Sequence, residues 1–126
     1  MSRKALIAVP MGDPAGVGPE ITAKTLCSDE ALESADVVVI GDGKIMQKAI
    51  EITGSPLTIR RISKPAEGDY SRGVLNLIDL DNVDMGKFAY GKVSGMCGRA
   101  AYEYIERAIV LAMSGQAAAV ATTPIN

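Results

Sequence analysis

Residues 10 to 20 read Pro-Met-Gly-Asp-Pro-Ala-Gly-Val-Gly-Pro-Glu and lead from a short apolar stretch into a helix. Glycine, proline and carboxylate are concentrated here as in a loop that presents backbone and charge to a ligand. Gly12, Gly16 and Gly18 can take backbone angles closed to other residues and let a ligand approach the main chain. Asp13 precedes a proline, which pushes its backbone toward an extended form and leaves its side chain to meet a ligand or to cap a nearby N–H. Glu20 falls in the first helical turn, where a carboxylate complements the helix dipole without any ligand. A turn that merely reverses the chain is the plainer alternative, although such connections usually need only about two to six ordinary residues.

The common glycine-rich signatures do not fit this loop. A phosphate-cradling P-loop requires Lys-Ser or Lys-Thr after its last glycine, and Gly18 is followed by Pro19 and Glu20. A dinucleotide fingerprint begun at Gly16 would put its third glycine at Ile21, with a rigid ring and a negative charge where the pyrophosphate belongs. At the other end of the chain, Thr122-Thr123-Pro124-Ile125-Asn126 leaves the last apolar stretch. If that stretch is a strand parallel to the first, its exit lies on the same rim as the opening loop, and Thr122, Thr123 and Asn126 offer two hydroxyls and an amide there. Shaping the turn is their other reading.

Asp79, Asp81 and Asp84 bring a metal loop to mind, but an EF-hand begun at Asp79 needs glycine at its sixth position and glutamate at its twelfth. Those positions are Asp84 and Tyr90, so a solvated acidic loop is expected instead. Cys27 and Cys97 lie too far apart in sequence for a zinc knuckle or a CxxC redox pair. With no histidine anywhere in the chain, a catalytic thiol would lack its usual base, and both are read as reduced helix residues.

The elements that must position these residues alternate. Strands are expected at about Leu6 to Val9, Val37 to Ile40, Leu57 to Ile62, Val74 to Asp79 and Ala118 to Thr122, and helices at about Pro19 to Cys27, Gly43 to Thr53 and Gly95 to Ser114. That rhythm is the rhythm of an α/β fold, a doubly wound and mostly parallel sheet with helices on both faces. Val37-Val38-Val39-Ile40 shows no polar alternation, as a strand covered on both faces should. In the last helix, Ala101, Tyr104, Ile105, Ala108, Leu111 and Ala112 form the expected inner stripe, opposite Arg99, Glu103, Glu106 and Arg107. Arg99 with Glu103 and Glu103 with Arg107 are spaced to pair across one turn. Ser94 is the expected cap and Gly115 the expected stop.

Composition narrows the function classes. A net charge of −2, with only short basic pairs at Arg3-Lys4 and Arg60-Arg61, gives no electrostatic footprint for nucleic acid or an anionic membrane. No apolar run approaches the ~20 residues of a membrane span, and Pro10 and Gly12 interrupt the apolar core that a signal peptide would need. The expected location is the cytoplasm.

The string from Met11 to Ile21, Met-Gly-Asp-Pro-Ala-Gly-Val-Gly-Pro-Glu-Ile, resembles the opening of 4-hydroxythreonine-4-phosphate dehydrogenases. These are pyridoxal phosphate biosynthesis enzymes related in fold to isocitrate and isopropylmalate dehydrogenases. Three further stretches agree in order: Gly91-Lys92-Val93-Ser94, then Gly98-Arg99-Ala100-Ala101-Tyr102-Glu103-Tyr104-Ile105, then Ala121-Thr122-Thr123-Pro124-Ile125-Asn126. The resemblance implies that residues 1–126 are the amino-terminal α/β portion of a larger two-domain dehydrogenase. It adds weight to Gly12, Asp13, Gly16, Thr122, Thr123 and Asn126 as cofactor- or substrate-binding candidates. The implied reaction is oxidation of 4-phosphohydroxy-L-threonine, or a related phosphorylated four-carbon hydroxy acid, by NAD or NADP, followed by loss of carbon dioxide from the β-keto acid. A divalent metal (zinc, magnesium or cobalt) polarises the carbonyl oxygen in that chemistry. The family holds its metal with three histidines and its substrate with a Gly-His-Thr-Glu segment. This chain has neither, so the metal ligands are expected outside it and the chain alone is expected to be inactive. A homodimer is also implied. A small non-catalytic nucleotide- or phosphometabolite-binding module, or a structural remnant, are the readings left beside it.

Overall fold

The computed structural model describes residues 4–92 and 94–122. Five strands form one sheet in the spatial order β3-β4-β2-β1-β5, and every neighbouring pair is parallel. In chain order the elements are β1 (Ala5–Pro10), α1 (Gly18–Thr25), α2 (Asp29–Ser34), β2 (Ala35–Gly41), α3 (Gly43–Thr53), β3 (Thr58–Arg61), a single 3-10 turn (Pro65–Glu67), β4 (Val74–Asp79), α4 (Gly95–Met113) and β5 (Ala119–Val120). From β1 the chain moves to β2 and then outward to β3, and α1 packs against α3. From β4 it returns past β2 and β1 to β5 through α4, which packs on β1, β2 and β5. Right-handed crossovers made in opposite directions place their helices on opposite faces, so α1 and α3 cover one side and α4 the other. The expected doubly wound α/β sheet is therefore present.

The core lies where both faces are covered. Val38, Val39 and Ile40 are consecutive and each 0% exposed, which is why β2 shows no alternation. Leu75 and Leu77 of β4, and Ala8 of β1, complete the central layer. Among the described residues no helix is long and apolar enough to cross a membrane.

Boundaries differ from expectation where local polarity competes with pairing. β3 spans Thr58–Arg61, shorter than Leu57 to Ile62, although the Ile62 N–H still donates to Leu77 O of β4 at 2.9 Å. β5 is reduced to Ala119–Val120, because β1 pairs with it only at Ile7 and Ala8. α2 was not anticipated: it buries none of its residues, so it has no apolar period to read. Its signal is Ser28, whose hydroxyl accepts from the Ala31 N–H, followed by the acidic Asp29 and Glu30.

In α4 the buried stripe is Cys97, Ala100, Tyr104, Ala108 and Leu111, rotated from the expected one. Ala101, Ile105 and Ala112 are only half-buried. The two expected ion pairs along this helix do not form among the described residues. Glu103 instead accepts from Asn82 Nδ2 at 2.9 Å, a tertiary bond that a one-turn surface pair cannot match in fixed geometry. Ser94 caps the helix, accepting from Cys97 N at 3.2 Å, and Gly115 follows its end at φ 82°.

Candidate functional site

The carboxyl ends of the parallel strands carry two groups of polar residues, one on the opening loop and one around the start of α3. In open α/β sheets this rim is where ligands bind.

The opening loop is anchored at its root and exposed at its tip. Met11 continues the β1 ladder, its N–H donating to Ile40 O at 2.9 Å, and its side chain is fully buried against Gly41. Gly12 then turns at φ 84°, an angle only glycine adopts without strain. Asp13 is exposed; its Oδ1 accepts from Ala15 N at 2.8 Å and its carbonyl accepts from Gly16 N at 2.9 Å. The other carboxylate oxygen of Asp13 has no protein partner among the described residues. Pro14 and Ala15 turn inward and are buried, while Gly16 and Val17 face out. Of the three glycines expected to exploit special backbone angles, only Gly12 has a positive φ. A Cβ added at Gly16 would meet Asp13 O and Cβ at 3.5 and 3.6 Å, ordinary contacts, so the chain's own packing does not demand glycine there.

Helix α1 starts at Gly18, one residue before the expected Pro19, from an N-cap, Val17, that offers no side-chain bond. Glu20 sits in its first turn as expected for a dipole-complementing carboxylate.

A second loop leans on the first. The Gly91 N–H donates to Ala15 O at 2.9 Å, and Gly91 itself turns at φ 72°. Phe88 and Tyr90 meet edge to face with ring centroids 4.7 Å apart. Burial, and secondarily the charge of Glu20, raise the Tyr90 phenol above its ordinary pKa of 10.0. Sequence reasoning placed this segment in a loop without joining it to the opening one. The signal was the Gly91-Lys92 pair, which carries the family resemblance.

The β1–β5 register, Ala8 with Val120, carries Thr122 toward Pro10 at the root of the same loop. Thr122 lines a small apolar cleft of about 170 Å³ with Val9, Ile21, Thr25 and Leu26. Thr122 and the opening loop therefore share a rim, but Gly12, Asp13 and Gly16 do not line that cleft. Thr123 and Asn126 lie outside the described residues.

At the start of α3 the polar groups are spent on one another. Asp42 is fully buried and caps the helix, accepting from Lys44 N at 2.8 Å and Ile45 N at 3.3 Å, from Val83 N at 3.0 Å and from Lys44 Nζ at 3.2 Å. Asp79 accepts from Gly43 N at 3.0 Å, from Asp81 N at 2.9 Å and from Arg61 Nε at 2.9 Å. Lys44 also pairs with Asp81, whose carboxyl is held below its ordinary pKa chiefly by the lysine's hydrogen bond; the lysine is raised by the same bond. A carboxylate oxygen from each of Asp42, Asp79 and Asp81 lies within 4.8 Å of the other two. The Asp42 and Asp79 oxygens are engaged by Lys44, Arg61 and backbone N–H groups, and Asp81 by Lys44 on one oxygen, so an ion here would have to compete with two cations. The expected solvated loop is thus half right. Asp84 closes a local turn with Gly86 N, whereas Asp79 and Asp81 latch the loop to α3. Arg61 went unsuspected because its partner Asp79 lies far away in sequence; Asp42, a local cap for Lys44 and Ile45, was simply not singled out.

The latch continues into α4. Tyr104, itself 0% exposed, donates from its hydroxyl to Asn82 Oδ1 at 2.7 Å, and its phenol is held far above the ordinary range, first by burial and then by the charge of Asp42.

Comparison with known proteins adds an independent line. The family model described as pyridoxal phosphate biosynthetic protein PdxA matches residues 33–126. A putative D-threonate 4-phosphate dehydrogenase of Fusobacterium nucleatum is 56% identical over 120 residues, which cover 95% of this chain and 36% of that protein. A protein of the same description from Clostridium botulinum is 43% identical over the whole chain and 38% of its own length. Among solved structures, a 4-hydroxythreonine-4-phosphate dehydrogenase from Burkholderia phymatum superposes with a TM-score of 0.93 at 38% identity, covering 99% of this chain and 38% of that one. One from Klebsiella pneumoniae gives 0.88, also at 38% identity, over 98% and 38% of the two chains. The chain spans little more than a third of the length of the relatives it matches.

Proposed function

The chain belongs to the PdxA family of pyridoxal phosphate biosynthetic proteins, and we propose that it is the amino-terminal α/β portion of a two-domain, NAD- or NADP-dependent dehydrogenase. In this reading the substrate is a phosphorylated four-carbon hydroxy acid. The 56% identity to a putative D-threonate 4-phosphate dehydrogenase, against 38% to the 4-hydroxythreonine-4-phosphate dehydrogenases of known structure, favours D-threonate 4-phosphate over 4-phosphohydroxy-L-threonine. Both compounds carry a hydroxyl β to the carboxylate. Its oxidation gives a β-keto acid that can lose carbon dioxide.

The observation that carries the proposal is the unspent polarity of the opening loop beside a cluster on the same rim whose Asp42 and Asp79 are committed to the protein. Gly16 is a glycine that the described packing does not require, and one Asp13 carboxylate oxygen beside it has no partner among the described residues. That pair suits a ligand that lies against the main chain and donates a hydroxyl hydrogen to Asp13. Thr122 stands at the root of the loop; Thr123 and Asn126, which follow it in sequence, lie outside the described residues and remain candidates by family resemblance alone. The nicotinamide cofactor, when bound, supplies the hydride acceptor. The residues of this chain would position the alcohol and its neighbouring oxygen atoms.

No step is assigned to a metal. The one group of three carboxylates brought together among the described residues is committed to Lys44, Arg61 and backbone donors. Zinc, magnesium or cobalt, if used, would be held by residues beyond this chain. The short strand β5 pairs with β1 alone, and its outer edge is where further strands of the same domain would add.

The test is to follow reduced nicotinamide with D-threonate 4-phosphate and with 4-phosphohydroxy-L-threonine, each with NAD or NADP and each metal. It should be done for the 126-residue chain and for the longer protein proposed to contain it. The reading expects turnover by the longer protein alone, with the threonate the better substrate. Turnover by the short chain would overturn the assignment of the metal and phosphate ligands to residues outside it. Binding without turnover by both would favour the non-catalytic module.

A further inference from the structure

The amino ends of the strands, opposite the rim already described, border a cavity of about 190 Å³. Lys4 stands just before β1, Asp36 is the second residue of β2 and Arg72 lies in the turn before β4, so three segments of the chain converge on it. Helix α2 forms one wall, through Ala31 and Leu32, yet buries none of its six residues. A helix that short is not stable alone, and the two cations of the cavity hold it. Lys4 Nζ donates to Leu32 O, and Arg72 Nη2 meets Asp29 Oδ1 at 2.7 Å in an exposed, weak pair. Asp36 is different. It is half-buried on the same cavity, and its carboxylate has no hydrogen-bond or ion-pair partner among the described residues. Burial, and secondarily the charge of Asp36, push the neighbouring Tyr70 phenol up to about 12. That phenol does not relieve Asp36, for its hydroxyl donates to Pro65 O at 2.6 Å. A carboxylate partly withdrawn from water and left unpaired calls for a donor.

We propose that this cavity binds an apolar α-amino acid, with its ammonium on Asp36, its carboxylate toward Lys4 and Arg72, and its side chain against Leu26, Leu32 and Val37. The charges select the class. A simple anion would meet Asp36 and Glu33, and a simple amine would meet Lys4 and Arg72, whereas a zwitterion answers both signs at once. The volume selects the size: it lies below the ~300–1,000 Å³ of sites for drug-sized ligands, so a single amino acid fits where a peptide or a nucleotide does not. The opening loop lies at the other end of the strands, so the two sites fill independently of one another.

Two-dimensional amide NMR of the 126-residue chain, titrated with L-leucine, tests this. The expected result is a saturable shift of resonances from α2, the start of β2 and the turn around Arg72, with none from Gly12 to Gly16. Isocaproate, which lacks the ammonium, and isoamylamine, which lacks the carboxylate, should each bind at least about tenfold more weakly. Asp36→Asn should weaken L-leucine at least about tenfold. Arg72→Gln changes an exposed side chain, should leave the thermal midpoint unaltered, and should weaken L-leucine about two- to fivefold. The absence of any saturable shift would overturn the proposal. So would shifts confined to the opening loop, isoamylamine binding as tightly as L-leucine, or an affinity for L-leucine that neither substitution changes.

Discussion

The opening loop and the start of α3 occupy the same rim of the same sheet, are both rich in glycine and aspartate, and have opposite physics. Around α3, Asp42 and Asp79 each accept at least three hydrogen bonds, and a Cβ at Gly43 would press on the ends of the Arg61 and Asp79 side chains, so a larger residue there has to move their ion pair. At the tip of the opening loop, Asp13 accepts one side-chain bond and Gly16 has room for a Cβ. Residue types alone do not separate a latch from a ligand surface; what separates them is whether their polar groups are already used up by the protein.

The largest effect expected from this contrast is on Asp42. Asp42→Ala strands the Lys44, Ile45 and Val83 N–H groups and unpairs the Lys44 ammonium, and should cost about 2–4 kcal/mol of stability. Urea unfolding of the chain monitored by circular dichroism measures it. A loss under about 1 kcal/mol would mean that water replaces those bonds and the latch is not structural.

Next come the two glycines. Gly43→Ala must displace the Arg61–Asp79 pair and should cost about 1–3 kcal/mol, while Gly16→Ala should be neutral or stabilise by up to about 1 kcal/mol through the unfolded chain. Thermal midpoints of the two variants, compared with the parent, decide it. Equal losses would erase the distinction between the regions.

The smallest effect concerns pH. The Asp81 carboxyl is lowered chiefly by the Lys44 hydrogen bond, so its contribution is present above its ordinary pKa of 3.8 and is lost as pH falls through the lowered value. Lys44 is raised above 10.5, so its share is present below that pH and is lost as pH rises through the raised value. Both side chains are substantially solvent-exposed, which keeps the effect small and sensitive to salt. Asp81→Asn should therefore lower the midpoint slightly at neutral pH and not at all in strong acid. A larger loss in acid than at neutrality would have the wrong sign.

Most of the fold was legible because it depends on local patterns. The unbroken apolar run in β2 announced a strand covered on both faces, and α3 and β4 fall at their expected bounds, since their apolar patterns mark them. Most of what was hidden required distance. Arg61 was read only as half of a short basic pair because its partner Asp79 lies on β4, Asp42 was not singled out although its cap to Lys44 and Ile45 is local, and the α4 stripe was misjudged because apolar residues occur on both its sides. In the candidate site, Gly12 and Asp13 were readable from composition, and the junction of Gly91 with Ala15 was not, for it is one backbone bond between loops far apart in sequence.

The central claim is that the opening loop faces a ligand, and Gly16→Ala tests it most directly in the longer protein proposed to contain this chain. Both kcat/KM for NAD(P)-linked oxidation and the thermal midpoint should be measured on the same preparations. The account predicts a fall in kcat/KM of at least about tenfold with an unchanged midpoint. Unchanged kinetics, or a fall in activity that merely follows a fall in stability, would contradict it and make the loop a structural turn.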